Sequence, residues 1–365
     1  TNFLEILQAL REEAMVDEAR HVEDIMRNRT LVGVRNQCRY YVPPGLPPGD
    51  RGSKYPGCHW YLLQNQTVPW AAQSGLPGAG SEFSWDTTGQ EEAFIWGSYF
   101  AREDRAAARL AEQALDQILS YTPLVPNFAW HGSAYGVGDF GNNGFIRGSE
   151  RVLQHYRSGL NAIPTTEAFL NNPNDTYLIR LAAGSIGGVL ANIDENGANS
   201  MGFHSDPANL FYDPASGDWG LALFGHTFST GSFLVRDEDL GYQCFFCDLD
   251  VEFSRTRNGT ITLTPRDSYL RRVYIAPLGL LIISDAGIIA SVISHIQPVS
   301  GRIFSLQVTY APIGELPLTV FRLRLVVRAG NCKFVVAGFP VVRSAYEIPV
   351  SSPVVPVHLS CDANV

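Results

Sequence analysis

The sequence is short of charge, and its basic residues form no cluster. Only 17% of the 365 residues are charged, the net charge is -9, and the 27 lysines and arginines are scattered. Nucleic acids and anionic membranes are bound by clustered basic side chains, so we expect neither as a partner. The 45% hydrophobic content, which includes many aromatic residues, excludes a disordered chain and predicts a globular protein.

An uninterrupted apolar run long enough to span a bilayer is also missing. The longest apolar stretch, Val273–Ile293, is broken by Pro277 and Asp285 and predicts two buried strands around an Asp-Ala-Gly turn. The P-loop pattern Gly-x-x-x-x-Gly-Lys-Ser/Thr and the Gly-x-Ser-x-Gly motif are absent from the sequence, which disfavours P-loop nucleotide-binding enzymes and serine hydrolases. No secretory signal precedes Thr1, and because the chain opens in a predicted helix we expect a mature or processed form.

Cysteine is scarce but even in number. The six cysteines fall into three local pairs: Cys38 with Cys58, Cys244 with Cys247, and Cys332 with Cys361. An even count favours disulfides formed in an oxidising compartment. Free buried thiols are one alternative, and a metal site at Cys244-Phe-Phe-Cys247 is another. No second Cys/His pair stands near this motif to complete a zinc site, so no metal and no other cofactor is expected.

Asparagine occurs in four N-glycosylation sequons. They are Asn28, Asn65, Asn174 and Asn258, each followed two residues later by Thr. Two of them stand where surface exposure is expected, Asn174 at a helix start and Asn258 at a hairpin tip. Together with the cysteines, they predict a secreted, extracellular glycoprotein.

The chain changes character near residue 200. Residues 1–200 carry amphipathic helical patterns, of which Arg102–Tyr121 is the plainest, joined by glycine-rich connections. Residues 201–365 consist of short alternating or β-branched runs separated by turn signals. All six tryptophans precede residue 220, so the second half lacks the tryptophan platforms typical of sugar-binding modules, and chemistry is expected in the helical half.

The start of one predicted helix, in "WDTTGQEEAFIW" (residues 85–96), carries carboxylates beside Trp85. Glu91 stands three residues after Thr88, which matches a capping box, so this residue can act simply as a helix cap. Asp86 precedes the cap and is the natural second carboxylate of a catalytic pair, or else an ordinary Asx-turn residue.

Glu92 differs from its neighbour, because helical spacing puts it on an aromatic face. It shares that face with Ile95, Trp96 and Tyr99. A carboxyl group held against apolar surface has a raised pKa and can serve as a general acid. The alternative is a solvated or arginine-paired glutamate at a favourable position near a helix N-terminus.

A glycine-rich segment, "NFAWHGSAYGVGDFGNNG" (residues 127–144), follows no helical or strand period. Its polar and aromatic residues are Trp130, His131, Tyr135, Asp139, Asn142 and Asn143. Irregular loops dense in such groups commonly bind ligands. We expect Trp130 to stack on a sugar and the others to supply hydrogen bonds or proton transfer, although a solvent-exposed connector remains possible on the sequence.

A second polar segment, residues 192–228, contains His204, Asp206 and His226. Its histidines and acidic residues follow no metal-ligand spacing and no calcium-loop pattern. We therefore expect these residues to contact substrate rather than a metal.

The motifs in these segments resemble those of a known group. "DTTGQEE", "HGSAYGVGDFGNNG" and "GVLANIDENGANSMGFHSDP" resemble a family of large secreted bacterial and fungal proteins of undefined function, which is similar to the six-hairpin (α/α) toroid glycosidases. The resemblance spans about residues 85–247. It implies a carbohydrate-active enzyme, with the acidic segment 86–92, His131 and His204 near a central cleft.

The predicted fold is a partial (α/α) toroid of helical hairpins over residues 1–200, followed by an antiparallel β-sandwich over residues 201–365. A closed toroid needs about twelve helices, and the sequence patterns give about six. Since half a ring exposes apolar surface, we expect an N-terminal chain of the same precursor to complete it as a partner.

The leading functional prediction is a secreted glycoside hydrolase that uses a carboxylate pair. Glu92 is the expected acid, Asp86 or Glu91 the second group, and Trp85, Trp130 and Tyr135 shape the sugar site. One alternative is a polysaccharide lyase acting on uronic-acid glycans with His131 and Tyr135. Another is a glycan-binding protein without catalysis.

Overall fold

A computed structural model describes about half of the chain. The described residues are 6–7, 10–11, 15–25, 98, 105, 108, 111–112, 115–116, 119, 134–135, 151–152, 155–190, 229–252, 258–284, 287–297, 300, 302–312, 320–329, 332–336, 339–340, 345–349 and 354–361. The chain divides into two compact units. Unit 1 is Thr1–Glu167 with Ile179–Ser229, and unit 2 is Ala168–Leu178 with Thr230–Val365.

Three helices and fifteen strands are defined among the described residues. The helices are α1 Val16–Ile25, α2 His155–Asn171 and α3 Thr176–Leu190. The strands are β1 Ala134–Tyr135, β2 Arg151–Val152, β3 Ser232–Asp237, β4 Gly241–Phe245, β5 Cys247–Glu252, β6 Gly259–Pro265, β7 Arg272–Ile275, β8 Leu280–Ser284, β9 Ile288–Ile296, β10 Ile303–Ala311, β11 Val320–Val327, β12 Cys332–Val336, β13 Phe339–Pro340, β14 Ala345–Pro349 and β15 Val354–Cys361.

Unit 2 is built on two large sheets. The seven-stranded sheet has the order β13-β12-β15-β10-β9-β6-β5, and the six-stranded sheet has the order β14-β11-β8-β7-β3-β4. Strand β3 runs parallel to β7, whereas the other neighbouring pairs are antiparallel. Strands β4 and β5 are edges of different sheets, so the one residue between them, Phe246, carries the chain from one sheet to the other.

One apolar core lies between the sheets. It contains Ile261, Val292 and Leu306 from the seven-stranded sheet, and Leu234 and Ile282 from the six-stranded sheet. Strand β6 alternates strictly between buried and half-buried residues, as a strand does when only one face meets the core. Each fully buried Leu or Ile contributes about 1.5–3 kcal/mol relative to exposure, so this core is the main source of stability in unit 2.

The outer face of the six-stranded sheet is also buried at β3 and β7, by the turn between α2 and α3. Phe169, at the end of α2, is fully buried, and its ring centroid lies 6.3 Å from that of Phe233 and 5.6 Å from that of Tyr274, in edge-to-face geometry. The Tyr274 hydroxyl donates a 2.9 Å hydrogen bond to Leu170 O. Residues 168–178, called here the covering turn, therefore belong to the sandwich.

Unit 1 supplies the other helices. Ala19 of α1 packs with Leu7, and Leu10 and Val22 lie against them. Between residues 98 and 119 every described residue is helical, with Ala111 buried and Glu112 exposed, as an amphipathic helix requires. Within the described part of the chain, no helix is both long enough and apolar enough to cross a membrane.

The predicted fold class, a partial (α/α) toroid followed by a sandwich, is wrong. The described residues contain three defined helices and two large sheets, and no ring of helical hairpins is present among them. Helical spacing predicts where helices form but not how they associate. Two local features also differ from the helical pattern expected over residues 1–200: residues 151–152 pair as a strand with 134–135, and α2 contains Pro164 within its length.

Candidate functional site

Most residues predicted to act on a substrate lie outside the described residues. They are Trp85, Asp86, Glu91, Glu92, Trp130, His131, Asp139, Asn142, Asn143, His204, Asp206 and His226. The sequons Asn28 and Asn65 and the cysteines Cys38 and Cys58 lie outside them too. The roles assigned to these residues stay predictions.

Tyr135 is the one predicted sugar contact whose backbone is described. It lies in β1 and pairs with Arg151 of β2, beside the Ala134–Val152 pair. The segment 127–144 therefore contains a short stretch of extended chain, which its irregular sequence did not predict. The pairing joins the predicted substrate loop to the residues just before α2.

The two described sequons are exposed. Asn174 lies in the turn between α2 and α3, and Asn258 directly precedes β6. Both positions are accessible to a glycosyltransferase, which requires an exposed acceptor in a loop or turn.

The strand register brings two of the predicted disulfide cysteines together. Cys332 begins β12 and lies directly opposite Cys361, at the end of β15. Directly opposite residues in antiparallel strands have Cα atoms about 4.5–5.5 Å apart, which is within the range that a disulfide spans. The register is therefore compatible with a bond between these two cysteines.

The described residues contain a second cysteine pair at the corner between the sheets. Cys244 lies on β4, Cys247 begins β5, and both thiols are free and half-buried. The Cys244 thiol donates to Cys247 O, and the Cys247 thiol donates to Phe245 O at 3.3 Å. The intervening Phe246 has a φ of 56°, a left-handed conformation that is uncommon for a bulky residue. This turn holds the two side chains against each other.

A buried polar network holds the corner in place. The Ser232 hydroxyl is shared between Phe246 O and Asp267 Oδ2, each at 2.8 Å, and Arg266 N also donates to Phe246 O at 2.8 Å. Asp267 Oδ1 accepts from the backbone N–H groups of Tyr269 and Leu270. Asp267 is 6% exposed, so its oxygens are satisfied by protein groups rather than by bulk water.

The corner makes its two thiols chemically unequal. A hydrogen bond from the Cys247 side chain lowers the pKa of Cys244, although burial and the nearby Asp248 act in the other direction. The same hydrogen bond, together with burial, strongly raises the pKa of Cys247. Asp248 is itself paired with Arg266 at 2.6 Å. Cys244 is therefore the thiol that ionises first, and Cys247 holds the proton.

The Cys-x-x-Cys spacing marks the two cysteines in the sequence, whereas Ser232 and Asp267 were not predicted. The only local signal was Asp267 followed by Ser268, a pairing frequent in turns in which the aspartate accepts backbone N–H groups. Its contact with Ser232 crosses 35 residues and has no local signature. Among the described residues, no group of three or more His, Cys, Asp or Glu side chains is arranged to hold a metal ion.

Comparison with known proteins places the chain in a family but supplies no function. A family of unknown function, DUF5695, matches residues 62–334, about three quarters of the chain. No curated protein and no solved structure matches the chain.

Proposed function

The chain belongs to this family of unknown function, and we propose that it is a secreted carbohydrate-active enzyme, specifically a glycoside hydrolase that uses a carboxylate pair. Glu92 is the general acid in this proposal, and Asp86 or Glu91 is the second carboxylate. Such enzymes protonate the leaving oxygen with one carboxyl group and use the other as base or nucleophile.

The position of Glu92 in the sequence carries the proposal. It stands in the first turn of a predicted helix, and on its helical face lie Ile95, Trp96 and Tyr99. Apolar surface around a carboxyl group favours its protonated form, which the acid of a glycosidase needs at neutral pH. Tryptophans nearby in sequence, Trp85 among them, are suited to stack on sugar rings.

The sandwich is assigned a structural role in this proposal. Both of its large sheets lie after residue 229, whereas the last tryptophan of the sequence is Trp219. The outward residues of β6 are threonines, which offer hydrogen bonds but no flat aromatic surface. Catalysis is therefore assigned to residues before the sandwich.

Activity on a panel of plant and fungal polysaccharides, including uronic-acid polymers, tests the proposal. Glu92→Gln and Asp86→Asn are each expected to lower kcat by about 100-fold or more on the substrate that the wild type cleaves, since each removes a proton-transfer or nucleophilic group. Asp250→Asn, an exposed carboxylate on β5, is the matched control and should retain full activity. Unchanged turnover in both site variants contradicts the assignment.

The products separate this reaction from its alternative. A hydrolase releases saturated sugars, whereas a lyase acting through His131 and Tyr135 leaves an unsaturated uronic acid with strong ultraviolet absorbance. If the wild type forms a product with this absorbance, and the product is lost in His131→Ala but kept in Glu92→Gln, the protein is a lyase and not a hydrolase.

Secretion and the partner chain are also open to test. N-linked glycans at the exposed Asn174 and Asn258, found by peptide mass spectrometry of the native protein, would support export.

A partner chain was expected because half a toroid would expose apolar surface. The described residues form no toroid, so that reason for expecting a partner no longer holds. Size-exclusion chromatography with mass spectrometry of the native material decides whether such a chain is bound.

A further inference from the structure

The corner cysteines lie where the chain passes from one sheet to the other. They lie on edge strands of two different sheets, β4 and β5, separated only by Phe245 and Phe246. Among the described strands, β4 and β5 each have a neighbour on one side only, so a co-reactant can approach this edge without separating paired strands. Both thiols are free and half-buried, and the Cys247 side chain packs against the apolar core.

The turn is held in the geometry that brings the thiols into contact. The strained Phe246 is held at its carbonyl by Ser232 and by the Arg266 N–H. Local strain of this kind persists only where surrounding contacts determine it, and it clusters at functional sites. Asp267 accepts from Ser232 and orders the following turn, so the support extends into the buried part of the corner.

We propose that Cys244 and Cys247 form a thiol–disulfide exchange site, whose co-reactant is a small-molecule disulfide. The pair has the Cys-x-x-Cys spacing at which one thiol is activated as a nucleophile and the other resolves the intermediate. In the corner Cys244 is the attacking group, and Cys247, which keeps its proton longer, is the resolving group.

The exchange proceeds in two balanced steps. The Cys244 thiolate attacks one sulfur of the disulfide RSSR, a bond forms between Cys244 and SR, and RS⁻ leaves and takes up a proton. The Cys247 thiol then loses its proton to solvent and attacks Cys244, which expels the second RS⁻. The protein dithiol is oxidised to a disulfide, and one RSSR is reduced to two RSH.

Trapping the intermediate tests the proposal in the full-length protein. The reduced protein is exposed to glutathione disulfide at graded ratios to glutathione, quenched with an alkylating agent and digested for mass spectrometry. The wild-type peptide that contains both cysteines should lose two hydrogens and bind no alkylating agent. Cys247→Ser should accumulate a glutathione adduct on Cys244, formed roughly tenfold faster than an adduct on Cys247 in Cys244→Ser.

Two further variants distinguish the corner from general thiol accessibility. Ser232→Ala removes a bond to Phe246 O and should slow closure, whereas Thr262→Ala, on the half-buried face of β6, should retain both closure and the order of reactivity. Circular dichroism confirms that each variant is folded. A wild-type peptide that stays alkylated under oxidising glutathione ratios overturns the proposal, and so does an adduct that forms faster on Cys247.

Discussion

The two sheets of the sandwich share a core but differ on their outer faces. In the six-stranded sheet, β3 and β7 bury consecutive residues such as Phe233 and Leu234, because the covering turn lies on the outer side. In the seven-stranded sheet, β6 alternates between buried residues and half-buried threonines. A strand covered on both sides needs apolar residues at every position, and a strand covered on one side needs them at every second position.

The burial of both faces of β3 and β7 shows that the covering turn packs as part of the sandwich. Its Phe169 fills the outer face, and Leu170 O accepts the hydroxyl proton of Tyr274. Arg328, which follows β11, also reaches the turn through a 3.2 Å bond to Asn171 Oδ1. Four changes can break or sharpen the comparison.

Removing the aromatic ring of the covering turn should have the largest effect. Phe169→Ala leaves a cavity beside the rings of Phe233 and Tyr274 and is expected to lower the free energy of unfolding by about 3–5 kcal/mol. Thr262→Ala, on the half-buried face of β6, is the control and should change it by less than about 1 kcal/mol. Urea unfolding measures both variants. Similar losses would mean that the two outer faces are equivalent.

The second prediction concerns the seven-stranded sheet, which a disulfide between Cys332 and Cys361 is expected to stabilise. Cys332 and Cys361 lie opposite each other on β12 and β15, and a bond closing that loop stabilises by about 3–4 kcal/mol in the chain-entropy model. Peptide mapping without reduction should recover the two cysteines in one linked peptide, and Cys332→Ala with Cys361→Ala should unfold at lower urea. Free thiols at both positions in the native protein would count against the bond.

The hydroxyl of Tyr274 provides a smaller test. Tyr274→Phe keeps the ring packing against Phe169 and removes the hydroxyl that bonds to Leu170 O. A neutral hydrogen bond contributes about 0.5–1.5 kcal/mol net, so the loss should be well below that of Phe169→Ala. A loss of the same size would show that the hydroxyl, and not the ring, attaches the turn.

The fourth change, Tyr310→Phe, should alter the stability of the fold only at alkaline pH. Burial raises the pKa of Tyr310 above its ordinary value of 10.0, and burial also raises the pKa of Tyr242, against the effect of Arg236. The folded state keeps these protons when the unfolded chain has lost them, so stability is fully present below pH 10 and falls as the pH rises further. Tyr310→Phe should flatten that fall in thermal scans, and an unchanged slope would remove Tyr310 as its cause.

Local patterns predicted much of the sandwich. Threonine alternation and the Asn258-Gly259 dipeptide mark the start of β6. The apolar stretch Val273–Ile293 predicted two strands around its Asp-Ala-Gly turn, but the structure has β7, β8 and β9 there. A 3-10 turn over Ala276–Leu278, which contains Pro277, divides the first of the two predicted strands, and Gly279 ends it at a φ of 57°. A side chain at Gly279 would overlap the backbone of Ala329, which explains the glycine.

Contacts between distant residues could not be predicted in the same way. The parallel pairing of β3 with β7 joins residues about 40 apart and leaves no mark on either strand. The sequence at Phe169 shows only an apolar helical residue, not the sheet that it covers. The same limit explains why the Cys-x-x-Cys motif was found while its support from Ser232 and Asp267 was not.

Hydrogen exchange tests most directly the claim that the covering turn protects one sheet selectively. In the wild type, the amides of β3 and β7 should exchange as slowly as those of β9 and β10, which lie inside the other sheet. In Phe169→Ala, protection should fall in β3 and β7 while β9 and β10 keep theirs. Equal loss in both sheets, or no loss in either, would contradict the account.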